Sequence, residues 1–458
     1  MSGRQFVRSM VIVGLLWLGV EAQAQQYNLT TVTAGFPGQV LLDTVPRINN
    51  GGQVIGNFPG GSAGYVFTGG VLTQLPSGFL GLDINNHGAI AMFSEASGTS
   101  VISLPPYTTQ TSMGNPPSCI LADSAATGLN DSGAAVGIAE APSTCPLPFF
   151  SFNGQMTAMG GTPPNAKWMA INNSNQVVGY ELFPATSTAP AANRAVQLIN
   201  GTLTDLDSAN ASAYDSEAMA INDAGQFIVN SNETLCTKRV GLKLITFPCR
   251  GAITYPLLYT RSTYTNMGGL GTAGGTASGI NFWGDVVGTS QTTSGFVHGF
   301  LYSGGSMTDL NSHLASSGNG WTIEQAFDIN DFGQIVALAA NSNGASVVLL
   351  SPVSVAVPAI TSLTLNPATV QGGIGIKGMS NGMVTLASAA PAGGVVVFLS
   401  SSSGVAHVPS MIRVSAGSTT ANFAITTTSV VSSVNVKITA ATASWSQTAI
   451  LTVTSVGP

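Results

Sequence analysis

Ile280-Asn281-Phe282-Trp283-Gly284-Asp285-Val286-Val287-Gly288 is the stretch from which the fold is read. It strings together an aliphatic residue, Asn, two loose positions, Gly, and a polar-to-apolar step. The same order recurs around Asn49, Asn85, Asn130, Asn172, Asn222 and Asn330, for example in Ile48-Asn49-Asn50-Gly51 and Ile329-Asn330-Asp331-Phe332-Gly333. Asn bonds back to nearby backbone amides and Gly takes the left-handed conformation, so each copy reads as a tight turn joining two strands.

The seven Asn residues are separated by 36, 45, 42, 50, 59 and 49 residues. With β-type content, a period of that size predicts radial repetition, a β-propeller of four-stranded blades, over a helical solenoid. A small-residue first strand ends at the Ile-Asn, as in Ala277-Ser278-Gly279-Ile280. Val286-Val287 begins a second strand, Gly299-Phe300-Leu301-Tyr302 makes a third, and a Gly turn leads to a fourth at Met307-Thr308-Asp309-Leu310. The last copy ends after a third strand, Ser346 to Leu350, while an orphan strand, Tyr27 to Val32, precedes the first. The expectation is an all-β, seven-bladed propeller closed by that N-terminal strand, leaving no open edge. Blade two shows no clear fourth strand.

These units resemble the HAF-repeat family of exported bacterial repeat proteins, whose repeat joins Ile-Asn-x-x-Gly-Gln-Val-Val-Gly to a His-Ala-Phe strand. The best copy runs from Gly279 to Leu310 and includes His298-Gly299-Phe300. The resemblance covers roughly residues 27–351 and implies a fold; it brings no chemistry with it, and the His survives in only one copy.

Composition and the N-terminus fit that picture. Arg4 and Arg8 precede an apolar run from Met10 to Val20, and Ala22-Gln23-Ala24 supplies small residues for cleavage, the layout of a signal peptide over residues 1–24. The run is too short to span a bilayer. The expected destination is therefore secreted or cell-surface, without membrane insertion after signal removal. Charged residues make up only 7% of the chain, against 55 Gly, which favours strands and turns over amphipathic helices. Removing Arg4, Arg8 and Glu21 leaves 11 basic and 18 acidic residues, a formal net charge of −7 where the whole chain carries −6. Nucleic acid and anionic membranes are excluded as natural partners by that balance. Four cysteines in an exported chain read as two disulfides, Cys119–Cys145 and Cys236–Cys249. No Cys-x-x-Cys pair suggests zinc or thiol redox work.

In a four-stranded blade both long classes of connection emerge on one face, which is the expected binding surface. In the long second-to-third connection of blade five, Lys238, Arg239, Lys243 and Arg250 gather as a candidate anion-binding patch; the plainer reading is a solvated loop. Two familiar patterns do not hold. Gly60-Gly61-Ser62-Ala63-Gly64 leads into a strand, not the helix that a nucleophile elbow needs. Gly269-Leu270-Gly271-Thr272-Ala273-Gly274 leads into the next Ile-Asn, not a phosphate-binding helix. His87, His298, His313 and His407 lack metal-ligand spacing, and Asp131, Asp223 and Asp331 read as turn chemistry rather than a calcium loop. The sequence thus nominates no catalytic, cofactor or metal residue.

Residues 352–359 form a Pro- and Val-bearing linker between the repeats of 25–351 and a domain over 360–458. There, alternation in Val434-Asn435-Val436-Lys437-Ile438 and Ala421-Asn422-Phe423-Ala424-Ile425 marks half-buried strands. About seven strands fit, as in an immunoglobulin-like sandwich. The Leu365-Asn366-Pro367-Ala368 opening and the Pro391-Ala392-Gly393-Gly394 turn resemble bacterial Ig-like modules. The whole reads as an exported, non-enzymatic binding or scaffold protein whose partner is a glycan or a surface protein. A polysaccharide- or peptide-cleaving enzyme and a purely structural surface component are the alternatives.

Overall fold

The computed structural model describes residues 25–33, 45–58, 63–114, 123–141, 145–159, 166–183, 192–206, 215–240, 243–261, 263–271, 274–373 and 375–455. Within these the protein is all-β, with three short 3-10 turns at Leu310–His313, Ser316–Gly318 and Ile376–Gly378. It divides into two compact units, Gln26–Ser354 and one formed chiefly by Val355–Pro458.

Among the described residues the first unit holds seven four-stranded antiparallel sheets. Sheet one runs through Arg47–Ile48, Val54–Asn57, Gly64–Thr68 and Val71–Gln74. Sheets two to six begin at Phe79–Ile84, Asp123–Leu129, Ala166–Ile171, Ser216–Ile221 and Gly275–Ile280, each pairing its strands in chain order. Sheet seven takes Thr322–Ile329, Ile335–Asn341 and Gly344–Pro352 and gains its fourth strand from Tyr27–Thr31. That pairing is antiparallel, with Tyr27 opposite Pro352 and Thr31 opposite Val348.

The repeated stretch has a physical reason at each position. Asn Oδ1 accepts amides within its own turn, as Asn85 does from His87 (3.1 Å) and Ala89 (2.9 Å). The fourth position needs a positive φ, supplied by Gly225 (75°) in sheet five and by Asn175 (56°) in sheet four. The two apolar residues that follow, such as Val286 and Val287, are each 0% exposed because both faces of a second strand are covered by neighbouring sheets. The final Gly lies so close to the first strand that a Cβ on Gly179 would run into the Lys167 carbonyl.

Three features depart from the sequence reading. Sheet two has a fourth strand, Gln110–Ser112, reached by a loop from Leu104 to Thr109 instead of a tight Gly turn. Tyr107 anchors this loop, buried and donating its hydroxyl to the Gly88 carbonyl (3.0 Å). The connection expected as a loop in the fifth unit is instead a long hairpin, Phe227–Val240 with Lys243–Thr260. Lys238 there faces Ile245, and Arg239 faces Leu244, in continuous register. Third, the first strands of sheets two to seven carry a bulge near their ends, for example between Trp168 and Ala170.

In the second unit one sheet orders Ile360–Asn366, Met379–Leu386, Thr420–Thr427 and Ala406–His407. The other orders Thr369–Gln371, Ser446–Thr454, Val434–Ala441, Val395–Ser401 and Met411–Val414. Their inward residues, including Val384, Ile425, Val397, Val436 and Leu451, make one hydrophobic cluster. Nine strands replace the seven expected, the extra ones being the two- and three-residue pieces.

Candidate functional site

The seven Asn side chains do more than shape their own turns. Each Nδ2 reaches the backbone carbonyl of the equivalent Asn in the next sheet. Asn49 donates to Asn85 (2.9 Å), Asn85 to Asn130 (2.9 Å), Asn130 to Asn172 (3.1 Å) and Asn172 to Asn222 (3.0 Å). Asn222 donates to Asn281 (2.8 Å), Asn281 to Asn330 (3.2 Å), and Asn330 back to Asn49 (3.0 Å). The cycle returns to its start. All seven are 5% exposed or less. Their second Nδ2 hydrogen finds the residue four positions on where that is Gln or Asp, as in Asn172 to Gln176 (2.8 Å) and Asn281 to Asp285 (3.1 Å). An amide that uses both acceptor lone pairs and both donors explains why this position is Asn and not Asp.

The cycle surrounds a cavity of about 170 Å³, lined in all seven sheets by residues of the turn stretch: Ile-Asn-Asx in five, Leu129-Asn130-Asp131 in sheet three, and Ile280 with Phe282 in sheet six. Its rim is the residue after each Asn: Asn50, Asn86, Asp131, Asn173, Asp223, Phe282 and Asp331. These also link sheet to sheet. Asn173 Nδ2 is 2.8 Å from both Asp131 and Asp223, and Asn50 Nδ2 is 2.6 Å from Asp331. Phe282 breaks the polar series and stands edge-on to Trp283 at 5.0 Å, while Trp283 Nε1 donates to the Asp331 carbonyl (2.8 Å). Burial pushes the Asp331 carboxyl above the usual range; the Phe282 amide and the Asn50 side chain pull it back, and the charges of Asp223 and Asp131 add to the rise.

Deeper, the residue before each Ile decides what the backbone meets. Asp83 accepts the amides of Ile84 (2.9 Å) and Leu129 (2.7 Å), and Asp328 those of Ile329 (3.0 Å) and Ile48 (3.1 Å). Two carboxylates therefore cap four amides of sheets seven, one, two and three. Burial pushes Asp83 up to about 6, against the opposing pull of Arg47 and the Leu129 amide, with the Asp328 charge raising it further. Asp328 is raised in the same way, by burial first. Sheets three to six have Gly128, Ala170, Ala220 and Gly279 at this level.

The nominated anion patch lies elsewhere. Lys238, Arg239, Lys243 and Arg250 sit on the long hairpin of sheet five, and their side chains fall outside the described residues. So do those of Cys145, Cys236 and Cys249, and all of Cys119; along the backbone Cys236 faces Phe247 and Cys249 faces Thr234. Residues 1–24 are also outside. His298, read from sequence as a lone strand residue, pairs through Nδ1 with Asp309 (2.7 Å). Arg194 and Asp205 make the corresponding pair in sheet four (3.0 Å), so the same strand-three to strand-four link occurs in two of the sheets. Strands, Gly64–Thr68 and Gly275–Ile280, follow the two rejected glycine patterns. Among the described residues no three His, Cys, Asp or Glu side chains are placed to hold a metal ion, and no helix is long and apolar enough to cross a membrane.

Sequence reasoning looked to the long connections and missed this opening among the tight turns. The available signal was the residue after each Asn, which is Asn or Asp in six of seven copies. The chain matches no protein-family model and no curated protein.

Proposed function

We propose that the chain is an exported, non-enzymatic binding scaffold, related to the HAF-repeat proteins. In this reading Gln26–Ser354 is a seven-bladed β-propeller closed by its N-terminal strand, followed by an Ig-like sandwich that acts as spacer or adhesive unit. The observation that carries it is the cycle of seven Asn bonds around a polar cavity. A ring so cross-linked holds its opening in one shape, and a preformed concave polar site favours recognition. The turn side is the place proposed for a ligand, because the Asn-lined cavity opens there.

An enzyme would need an acid or base free to act on substrate. Asp83, pushed up to about 6, has both oxygens held by the amides of Ile84 and Leu129, which favours binding over turnover. The two disulfides and the Lys238–Arg239 patch belong to this proposal as export-dependent features of the other side. The test is a panel of soluble oligosaccharides and peptides assayed for both saturable binding and product. Binding without product supports the reading; product formation supports a hydrolase or lyase; neither supports a purely structural component. Charge reversal of Lys238 and Arg239 that leaves all binding unchanged removes the patch.

A further inference from the structure

The floor of the axial cavity has two unlike halves. In each sheet the Asn of the turn pairs with the residue four positions on, as Asn172 N does with Gln176 O (3.0 Å), Asn222 N with Gln226 O (2.9 Å) and Asn281 N with Asp285 O (3.0 Å). Hydrogen-bonded and non-bonded pairs alternate along an antiparallel ladder. The preceding Ile therefore turns its N–H away from its own sheet, towards the axis. In sheets seven, one, two and three that N–H meets a carboxylate oxygen of Asp328 or Asp83. In sheets four, five and six the matching amides belong to Ile171, Ile221 and Ile280, and no side chain of the described residues caps them. Ile171 and Ile280 are 7% and 8% exposed, and all three residues line the cavity.

The chain's own Asp side chains display what such amides take: an oxygen set between the N–H groups of adjacent sheets. We infer that the arc of Ile171, Ile221 and Ile280 amides is a ligand-binding site, filled by the hydroxyl oxygens of a neutral polyhydroxylated group such as a terminal sugar residue. This deepens the reading above and rests on it. Charge decides against an anion. Asp131, Asp223, Asp328 and Asp331 line the cavity and Asp83 lies buried near Asp328, with Arg47 acting as a cation on both buried carboxylates. A hydroxyl suits both ends of this arrangement, because it accepts from an amide and donates to a carboxylate. Phe282, which interrupts the polar rim above sheet six and is backed edge-on by Trp283, gives an apolar surface for the C–H face of a sugar ring.

The repeat itself supplies the test. Ala220→Asp puts a carboxylate at the position of Asp83 in sheet two, where it caps Ile221 and Ile280 from within. The full chain and this variant are titrated with glucose, galactose, mannose and N-acetylglucosamine, and separately with acetate and a neutral tripeptide amide, by saturation-transfer NMR. The expected result is binding of at least one neutral sugar by the native chain, and at least a tenfold loss in Ala220→Asp, whose unfolding temperature equals or exceeds the native one. Preferential acetate binding that Ala220→Asp abolishes overturns the neutral class and leaves the axial site standing. Binding of any probe with unchanged affinity in Ala220→Asp overturns the inference and leaves the scaffold reading intact. No binding of any probe overturns the inference as well. Should Ala220→Asp fail to fold, Ala170→Asp, which caps Ile171 and Ile221, is judged by the same outcomes.

Discussion

At the scale of single residues the buried Asn carries the greatest demand. Asn172 accepts the amides of Ser174 (3.0 Å) and Gln176 (2.9 Å) while donating to Asn222 O and Gln176 Oε1. Asn172→Asp keeps the shape and loses both donors, setting a carboxylate against two oxygens. The expected cost is about 3 kcal/mol or more, since buried groups lose their partners and an unpaired charge is added; chemical denaturation measures it. Asp83 gives a pH signature. Its folded carboxyl titrates near 6, above the ordinary 3.8, so between those values the folded state binds more protons than the unfolded one. Stability from this group is greatest below 3.8 and is lost as pH rises through about 6. Asp328 and Asp331 shift in the same direction and add to the slope. A ¹³C titration of the Asp83 carboxyl is the check, and an ordinary midpoint would sink the burial argument.

At the scale of elements, two glycines with different duties separate packing from backbone conformation. Gly179→Ala in the second strand of sheet four drives a Cβ into the backbone of Lys167 and Trp168, with an expected loss of about 3 kcal/mol. Gly201→Ala sits at φ +76° with nothing within 4 Å, so its cost is the left-handed penalty alone, roughly 1–2 kcal/mol. Thermal unfolding of the two variants should rank them in that order. The same elements show why some of the fold was legible. The Asn turns and paired apolar second strands repeat because every sheet needs the same cap and the same two-sided burial. The level before each Ile does not repeat. Arg47, Asp83, Gly128, Ala170, Ala220, Gly279 and Asp328 share no chemistry, so the contrast between Asp-capped amides and the others emerges only when the strands of different sheets are brought together. Gln110–Ser112 escaped notice because it has no apolar residue and follows a Pro-Pro-Tyr loop in place of a Gly turn. The hairpin of sheet five escaped because the sequence of its added arms, from Thr234 to Val240 and from Lys243 to Cys249, matches nothing in the other copies.

At the scale of the whole molecule, the bond from Asn330 to Asn49 and the strand Tyr27–Thr31 join the two ends of the first unit. Tyr27 is 3% exposed, and Val347, Val348 and Leu350 of the strand that Tyr27–Thr31 pairs with are 0–1% exposed. Deleting residues 25–33 uncovers that surface and leaves sheet seven with three strands. The expected outcome is a lower unfolding temperature, restored in part by adding the peptide Gln25–Thr33 in trans. An unchanged unfolding temperature would show that the N-terminal strand contributes little.

That same strand sets an order of events. Val347 N donates to Thr33 Oγ1 (3.1 Å) from 314 positions further along the chain, and Tyr27–Thr31 pairs with Gly344–Pro352 and bridges to Leu314. A ribosome makes the beginning of this seam first and the end of it some three hundred residues later. The leading strand must therefore wait, unclaimed, while most of the unit is still being synthesised, and the last sheet is finished only once translation has passed Pro352.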